Sequence, residues 1–293
     1  MNLFRFLAPI KKYLKPNNTW VPPGHFYSPI PGDADIEVLE KKLARKIPDA
    51  IPGINLNLDG QKELLREFER YYGELPFPEE KDPGSRYFYK NQNYLYSDAI
   101  FLHCMIRHFR PGRIIEVGSG YSSCCILDTN EQFFSDQIAC TFLEPYPELL
   151  RSLIRTEDEQ RITIHPYRLQ DVDIKLFDGL VENDLLVIDS THVLKTGSDV
   201  ERILAEILPR LQPGVLIHFH DIFYPFEYPR EWVLEGRAWN ETYALRSFLQ
   251  YNETFRIVFF NTCLELLMPE YFAENMPLCL KNTGGSIWLR KEC

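Results

Sequence analysis

The sequence predicts an α/β, doubly wound domain with a mainly parallel seven-stranded sheet, preceded by a helical and irregular N-terminal cap. Three observations carry this. From about Tyr94 onward, strand-length apolar runs alternate with helix-length amphipathic runs. The strand-length runs are apolar almost throughout, as strands covered by helices on both faces must be. The first of them, "RIIEV", leads straight into Gly118-Ser119-Gly120, a strand-to-helix turn that brings a chain neighbour or a ligand close to the backbone. The expected division is a cap over residues 1–93 and the doubly wound domain over 94–293.

The N-terminal "MNLFRFLAPIKKYLK" spaces Leu3, Phe6, Leu7, Ile10 and Leu14 helically and is basic. Without a long apolar stretch or a small-residue cleavage site it does not read as a signal peptide; docking on its own domain is the expected role, with contact to a membrane surface as the alternative. Proline and aromatic punctuation follows, as in "WVPPGHFYSPIPGD", interrupted by helical periodicity in "DIEVLEKKLARKI" and "GQKELLREFERYYGEL". "YLYSDAIFLHCMIRHF" reads as a helix stopped by Pro111-Gly112. The first strand then opens a regular alternation: a helix from Ser122, the strand "IACTFLE", the helix "PELLRSLIR", and the strands "RITIHP" and "DLLVID". The helix "SDVERILAEILPRL" precedes the strand "GVLIHFHD"; the helix "TYALRSFLQY" and the strands "FRIVFF" and "GGSIWLRK" complete the pattern.

Composition limits the function. A net charge of -10 argues against a broad nucleic-acid footprint. No apolar run approaches the roughly 20 residues of a membrane-spanning helix. The seven cysteines form no C-x-x-C pair and are odd in number, so neither a zinc site nor a disulfide framework is expected, and a reducing, cytoplasmic setting is.

Ligands of such sheets bind beyond the carboxyl ends of the strands, where the strand order reverses. Chemistry-bearing residues gather in the sequence at those ends. Gly118-x-Gly120-x-x-Ser123 nearly fits a dinucleotide fingerprint, with Ser in place of the third glycine and no P-loop lysine. Glu144 closes the second strand, 24 residues after Gly120, where a carboxylate can accept ribose hydroxyls. Asp171 and Val172 follow the third strand and could bind an exocyclic amine and line its ring; the alternative for Asp171 is a helix cap. Asp189 and His192 follow the fourth, and His220 and Asp221 end the fifth. A histidine titrating near neutrality suits a general base. His218, mid-strand, reads as a hydrogen-bonded core histidine.

The segments "EVGSGYSS", "FLEP", "QDV", "LLVIDSTH" and "LQPGVLIHFHDIF", in this order, resemble a class I S-adenosylmethionine-dependent methyltransferase, of the branch grouped with small-molecule and sugar O-methyltransferases. The resemblance covers roughly residues 94–291 and implies a Rossmann-like fold with S-adenosylmethionine as cofactor. It implies that Glu116, Gly118, Gly120 and Ser122 approach the methionine and ribose parts, that Glu144 holds the ribose and Asp171 the adenine amine beside Val172, and that Asp189 lies next to the transferring methyl. His220, Asp221 and His192 are then the catalytic candidates. The implied partner is a small-molecule or glycan acceptor, with a homo-oligomer compatible. A divalent metal is an open alternative: Asp189 and Asp221 could chelate one, but His220 stands where Mg²⁺ would prefer oxygen. Rival readings are an NAD-linked oxidoreductase, whose pyrophosphate wants the third glycine, and a catalytically inactive scaffold subunit. Aromatic segments at 85–98 and 221–232 are candidate walls for the acceptor, although most of their rings are expected to cover the core under a long loop, and Asp98 is expected to stand near cofactor or lid.

Overall fold

The computed structural model describes residues 20–293; the basic N-terminal helix expected around Leu3–Leu14 lies outside them. The described chain forms two compact units. The smaller comprises the described residues up to Arg45 together with Pro229–Ala238; the larger comprises Lys46–Tyr228 and Trp239–Cys293. Residues 46–93, expected as part of the cap, thus pack within the same unit as the sheet.

The smaller unit pairs helix α1 (Asp33–Leu43) with a short helix later in the chain, and Arg230 reaches Glu40 at 2.7 Å. Asp35 accepts the Gly32 amide at 2.9 Å, which satisfies one donor left open at the helix start.

In the larger unit, α2 (Leu58–Tyr72) and α3 (Tyr96–Phe109) precede β1 (Arg113–Val117). The alternation continues through α4 (Tyr121–Phe134), β2 (Ala139–Leu143), α5 (Glu148–Leu153), β3 (Thr163–His165) and β4 (Leu185–Ile188). A helical segment then starts as α6 (Asp199–Arg202), widens into a π-helical turn over Ile203–Ile207, and ends as α7 (Leu208–Arg210) with Pro209 in its first turn. β5 (Leu216–His220) is followed by α8 (Arg230–Leu234) of the smaller unit, α9 (Glu241–Leu249) and β6 (Phe255–Phe260). Two helices that the sequence reading did not anticipate, α10 (Asn261–Leu267) and α11 (Pro269–Asn275), lead to β7 (Ser286–Lys291).

The sheet has seven strands in the order β3-β2-β1-β4-β5-β7-β6. The first five are parallel; β7 runs antiparallel between β5 and β6. The strand order reverses between β1 and β4, which places the ligand crevice there. Both faces are buried, and alternate residues feed two cores. Ile114, Phe142, Val187 and Trp288 join the core under α2, α3 and α4; Ile115, Leu143, Leu186 and Ile217 join the core on the opposite face. This is why the strands read as unbroken apolar runs.

His218 corrects the expectation of a hydrogen-bonded histidine. It pairs across β5 and β7 with Trp288, ring centroids 4.3 Å apart, and neither ring nitrogen has a hydrogen-bond partner. Burial pushes its pKa down to about 3, so the ring stays neutral.

Candidate active site

The site begins with the turn after β1. Gly118 adopts φ +81, and a Cβ there would sit 1.7 Å from the carbonyl oxygen of Asp189. The glycine is therefore required by a chain neighbour: the turn after β1 lies directly against the end of β4. Gly120 differs, since a Cβ there would meet only Leu149 Cδ2 at 3.5 Å, an ordinary contact. Its amide donates to Ser123 Oγ at 3.1 Å, and Ser123 Oγ donates in turn to Glu116.

Glu116 is fully buried in β1. Burial raises its pKa to about 8, against the opposing hydrogen bonds of Ser122 and Ser123. Its Oε1 has no hydrogen-bond partner, and neither has the buried Ser119 Oγ. Glu144, half-buried after β2, accepts from the amides of Ser119 at 3.2 Å and Tyr146 at 2.8 Å, which joins the first two strand ends. Val172 is buried beyond β3, whereas Asp171 is exposed and held by Arg168 at 2.8 and 3.0 Å, a bridge that lowers its pKa.

Four carboxylates and two imidazoles converge at the ends of β4 and β5. His220 Nδ1 lies 3.3 Å from Asp189 Oδ1 and 3.6 Å from Asp221 Oδ1, and its Nε2 lies 3.5 Å from Asp98 Oδ2. His192 Nδ1 is 2.9 Å from Glu241 Oε2, while its Nε2 faces Asp189 at 3.6 Å and Asp221 at 3.5 Å. Both rings are buried, which opposes their charged forms. For His192, Asp189 and Glu241 override that cost and raise the pKa to about 10. For His220, Asp221 and Asp189 do the same and hold the pKa well above the ordinary value. Asp189 is itself shifted well below the usual carboxylate range: the two histidines outweigh its burial. Asp221 moves the other way, because burial raises its pKa more than the histidines lower it. His192 and Asp221 both adopt left-handed backbone, φ 58 and φ 56, conformations held by their surroundings.

The sequence reading brought Asp189, His192, His220 and Asp221 to one edge, and they meet there. It missed Glu241, which resembled an ordinary acidic residue in a helix first turn. It placed Asp98 near the site without foreseeing its contact with His220. Most rings of the two aromatic segments cover the core, whereas Phe88, Phe223 and Trp232 are half-buried. Tyr87, Tyr89, Tyr94, Tyr224, Phe226 and Tyr228 are buried, with exposures from 0% to 5%, and belong to the packing rather than to an open surface. Tyr94 does pack against the His220 ring, centroids 5.0 Å apart.

Doubly wound topology, a glycine turn at the reversal of strand order, and an acidic residue at each of the adjoining strand ends define a nucleotide-cofactor-binding α/β protein. Residues 115–222 match the family model described as a methyltransferase domain. An uncharacterised protein of Archaeoglobus fulgidus is 36% identical over 166 residues, 55% of this chain and 74% of that protein. Among solved structures, a Podospora anserina methyltransferase with bound S-adenosylhomocysteine aligns over 89% of this chain and 95% of its own, at 15% identity and TM-score 0.43. A Bacillus cereus O-methyltransferase, likewise in complex with S-adenosylhomocysteine, aligns over 88% of this chain and 97% of its own, at 13% identity and TM-score 0.42. Residues 115–222 thus form a methyltransferase domain on a doubly wound sheet, the domain of an S-adenosylmethionine-dependent methyltransferase. The cofactor of such a domain is S-adenosylmethionine.

The residues present fit that cofactor. Glu116 Oε1 is a buried acceptor lacking a donor, and the space beside Gly120 is closed by nothing nearer than a leucine methyl. A divalent metal would need Asp189 and Asp221 as its oxygen ligands. His192 Nε2 contacts both Asp189 and Asp221, the two carboxylates that would have to chelate it. Among the described residues no group of three or more His, Cys, Asp or Glu is arranged to hold a metal ion, and no helix is long and apolar enough to cross a membrane.

Proposed function

We propose that this enzyme methylates a hydroxyl of a small molecule or glycan precursor, with His192 as the general base. The observation that carries the reading is the contact between Gly118 and Asp189: it makes the glycine turn and the histidine–carboxylate cluster one site. The cofactor supplies an activated methyl. The chain's own work is to position the acceptor and remove its proton.

Within that work, Glu116, Gly118, Gly120, Ser122, Glu144, Asp171 and Val172 serve the cofactor. Asp171 exchanges its Arg168 bridge for that role. Of the four ring nitrogens, His192 Nε2 suits proton acceptance best. His220 is bracketed by Asp189 and Asp98, whereas His192 is anchored through Nδ1 and turns Nε2 towards Asp189 and Asp221. At neutral pH the ring carries a proton and must release it to solvent before Nε2 can accept that of the acceptor hydroxyl; a cofactor sulfonium bound beside Asp189 would weaken that carboxylate's hold on the His192 proton and favour the release. His220 and Asp221 then complete the electrostatic frame. The unit made of Lys46–Tyr228 and Trp239–Cys293 is the transferase proper, so residues 46–93 belong to it rather than to a separate cap. The free thiols of all seven cysteines support a cytoplasmic setting.

The test is titration calorimetry with S-adenosylmethionine, S-adenosylhomocysteine and NADH, followed by turnover of His192→Ala. Binding of the first two ligands is expected, with turnover lowered by about 10²–10⁴-fold and affinity kept. His192→Ala with unchanged turnover overturns the base assignment; NADH binding alone overturns the cofactor.

A further inference from the structure

We propose that the start of α9 is a positioning device for His192, with Glu241 as the residue that fixes the ring so that Nε2 faces the reacting edge. This rests on reading His192 as the base. Four contacts converge on one strained residue, and a clamp on Leu194 holds the chain just beyond it. The His192 carbonyl accepts the amides of Asn240 at 3.1 Å and Glu241 at 3.2 Å, so the open donors of the helix start hold a residue with φ 58. Asn240 grips the next turn of chain from both sides: its Oδ1 accepts from the Leu194 amide at 2.6 Å, and its Nδ2 donates to the Leu194 carbonyl at 3.2 Å. The ring itself is held by Glu241 at 2.9 Å and by Trp239, whose ring centroid is 4.5 Å away.

Two further facts separate positioning from incidental burial. Glu241 is 1% exposed and its Oε1 has no hydrogen-bond partner, so its contact with His192 Nδ1 is the chief satisfaction of a carboxylate that burial penalises. The helix start is also braced from behind, because Tyr228 Oη accepts the Thr242 amide at 3.2 Å. A carboxylate on Nδ1 fixes both the tautomer and the direction in which Nε2 points, which is the service an orienting acid gives a catalytic imidazole.

Positioning and charge make opposite demands on substitutions. Glu241→Gln keeps the reach and an oxygen that accepts from Nδ1–H; Glu241→Asp keeps the charge and loses the reach. The experiment uses full-length protein labelled with ¹⁵N-histidine, with His192→Ala to assign the His192 signals. S-adenosylhomocysteine is the binding probe. Turnover is measured by transfer of labelled methyl from S-adenosylmethionine into the small-molecule fraction of a cell extract.

Glu241→Gln is expected to keep the downfield Nδ1–H signal of His192 and to stay within roughly 10-fold of wild-type kcat. Glu241→Asp and Glu241→Ala are expected to lose that signal and about 100-fold or more in kcat, with S-adenosylhomocysteine affinity unchanged in all three. An aspartate variant that matches wild type while the glutamine variant fails overturns positioning in favour of charge. Three wild-type-like variants beside an inactive His192→Ala overturn the role of Glu241 and leave the base standing. A fully active His192→Ala overturns the base, and no transfer by wild type overturns the enzyme reading; in both cases the Nδ1–H signal still decides whether Glu241 fixes the ring.

Discussion

Two glycines one residue apart answer to different forces, and their substitutions should separate. Gly118 faces the Asp189 carbonyl and has positive φ. An added Cβ meets backbone that cannot move aside, on top of about 1–2 kcal/mol for left-handed backbone. Gly118→Ala is therefore expected to lower the melting temperature sharply, without any ligand present. Gly120→Ala meets only a leucine methyl, so the melting temperature of the free protein should hold while calorimetric affinity for S-adenosylhomocysteine falls. Equal losses of stability at both positions would contradict the distinction. Glu116 offers a second measurement at this scale. With its pKa at about 8 it is mostly protonated at pH 7, and the burial that raises it is unrelieved at Oε1. A cationic partner at Oε1 returns the carboxyl towards its ordinary pKa. Binding at pH 7 should then release close to one proton, read from binding enthalpies in buffers of different ionisation enthalpy. Glu116→Gln should abolish that release.

At the scale of elements, the alternation of strands and helices was legible because its cause is local: a strand buried on both faces must be apolar throughout, and the seven strands appear where their runs stand. The glycine turn and the clustering of Asp189, His192, His220 and Asp221 were legible for a related reason, since parallel topology carries every strand end to one edge. Three things were not. α10 and α11 were hidden because the window between β6 and β7 mixes proline with short apolar runs. Among the dense aromatics at 85–98, composition cannot show which rings line a site and which cover the core. Glu241 lies 49 residues from His192, and only tertiary packing joins them. The same limit applies to Arg86, whose side chain is 2% exposed and meets Asp128 at 2.8 Å, Glu131 at 2.7 Å and Asp158 at 2.6 Å. The Arg86 and Tyr87 amides also donate to Asp128, so one arginine ties the segment before α3 to α4 and to the turn after α5. Arg86→Ala leaves buried acids uncompensated and should cost about 3–5 kcal/mol in chemical denaturation. A loss below 1 kcal/mol would show that water replaces the guanidinium.

For the whole molecule, the histidine–carboxylate cluster makes stability depend on pH in a definite direction. The folded pKa of His192 is about 10 against an ordinary 6.5. Its contribution is therefore complete below about pH 6.5 and disappears as the pH rises to about 10. The depressed pKa of Asp189 acts at the other end: its contribution is present above the ordinary carboxylate value and is lost on acidification below it. The melting temperature should fall between pH 7 and pH 10, and part of that fall should be missing in His192→Ala. An identical alkaline limb in the two proteins would assign it to other groups. Reductant, by contrast, should leave the melting temperature unchanged. All seven cysteines are free, and six are buried.

The place of β7 in the sheet has a consequence in time. It follows β6 in the chain but lies between β5 and β6, pairing antiparallel with both. Until β7 inserts, β6 has no neighbour through which to join the other five strands. The parallel half, β3 to β5, can assemble without either of them. Refolding should then proceed in two stages, with β6 and β7 amides gaining protection from hydrogen exchange together and after those of β1 and β4. The residues flanking this late pair hold Asp98: Gly285, just before β7, donates its amide at 3.1 Å, and Asn261, just after β6, donates its Nδ2 at 3.3 Å, so the acid that faces His220 is secured only when the final strands arrive.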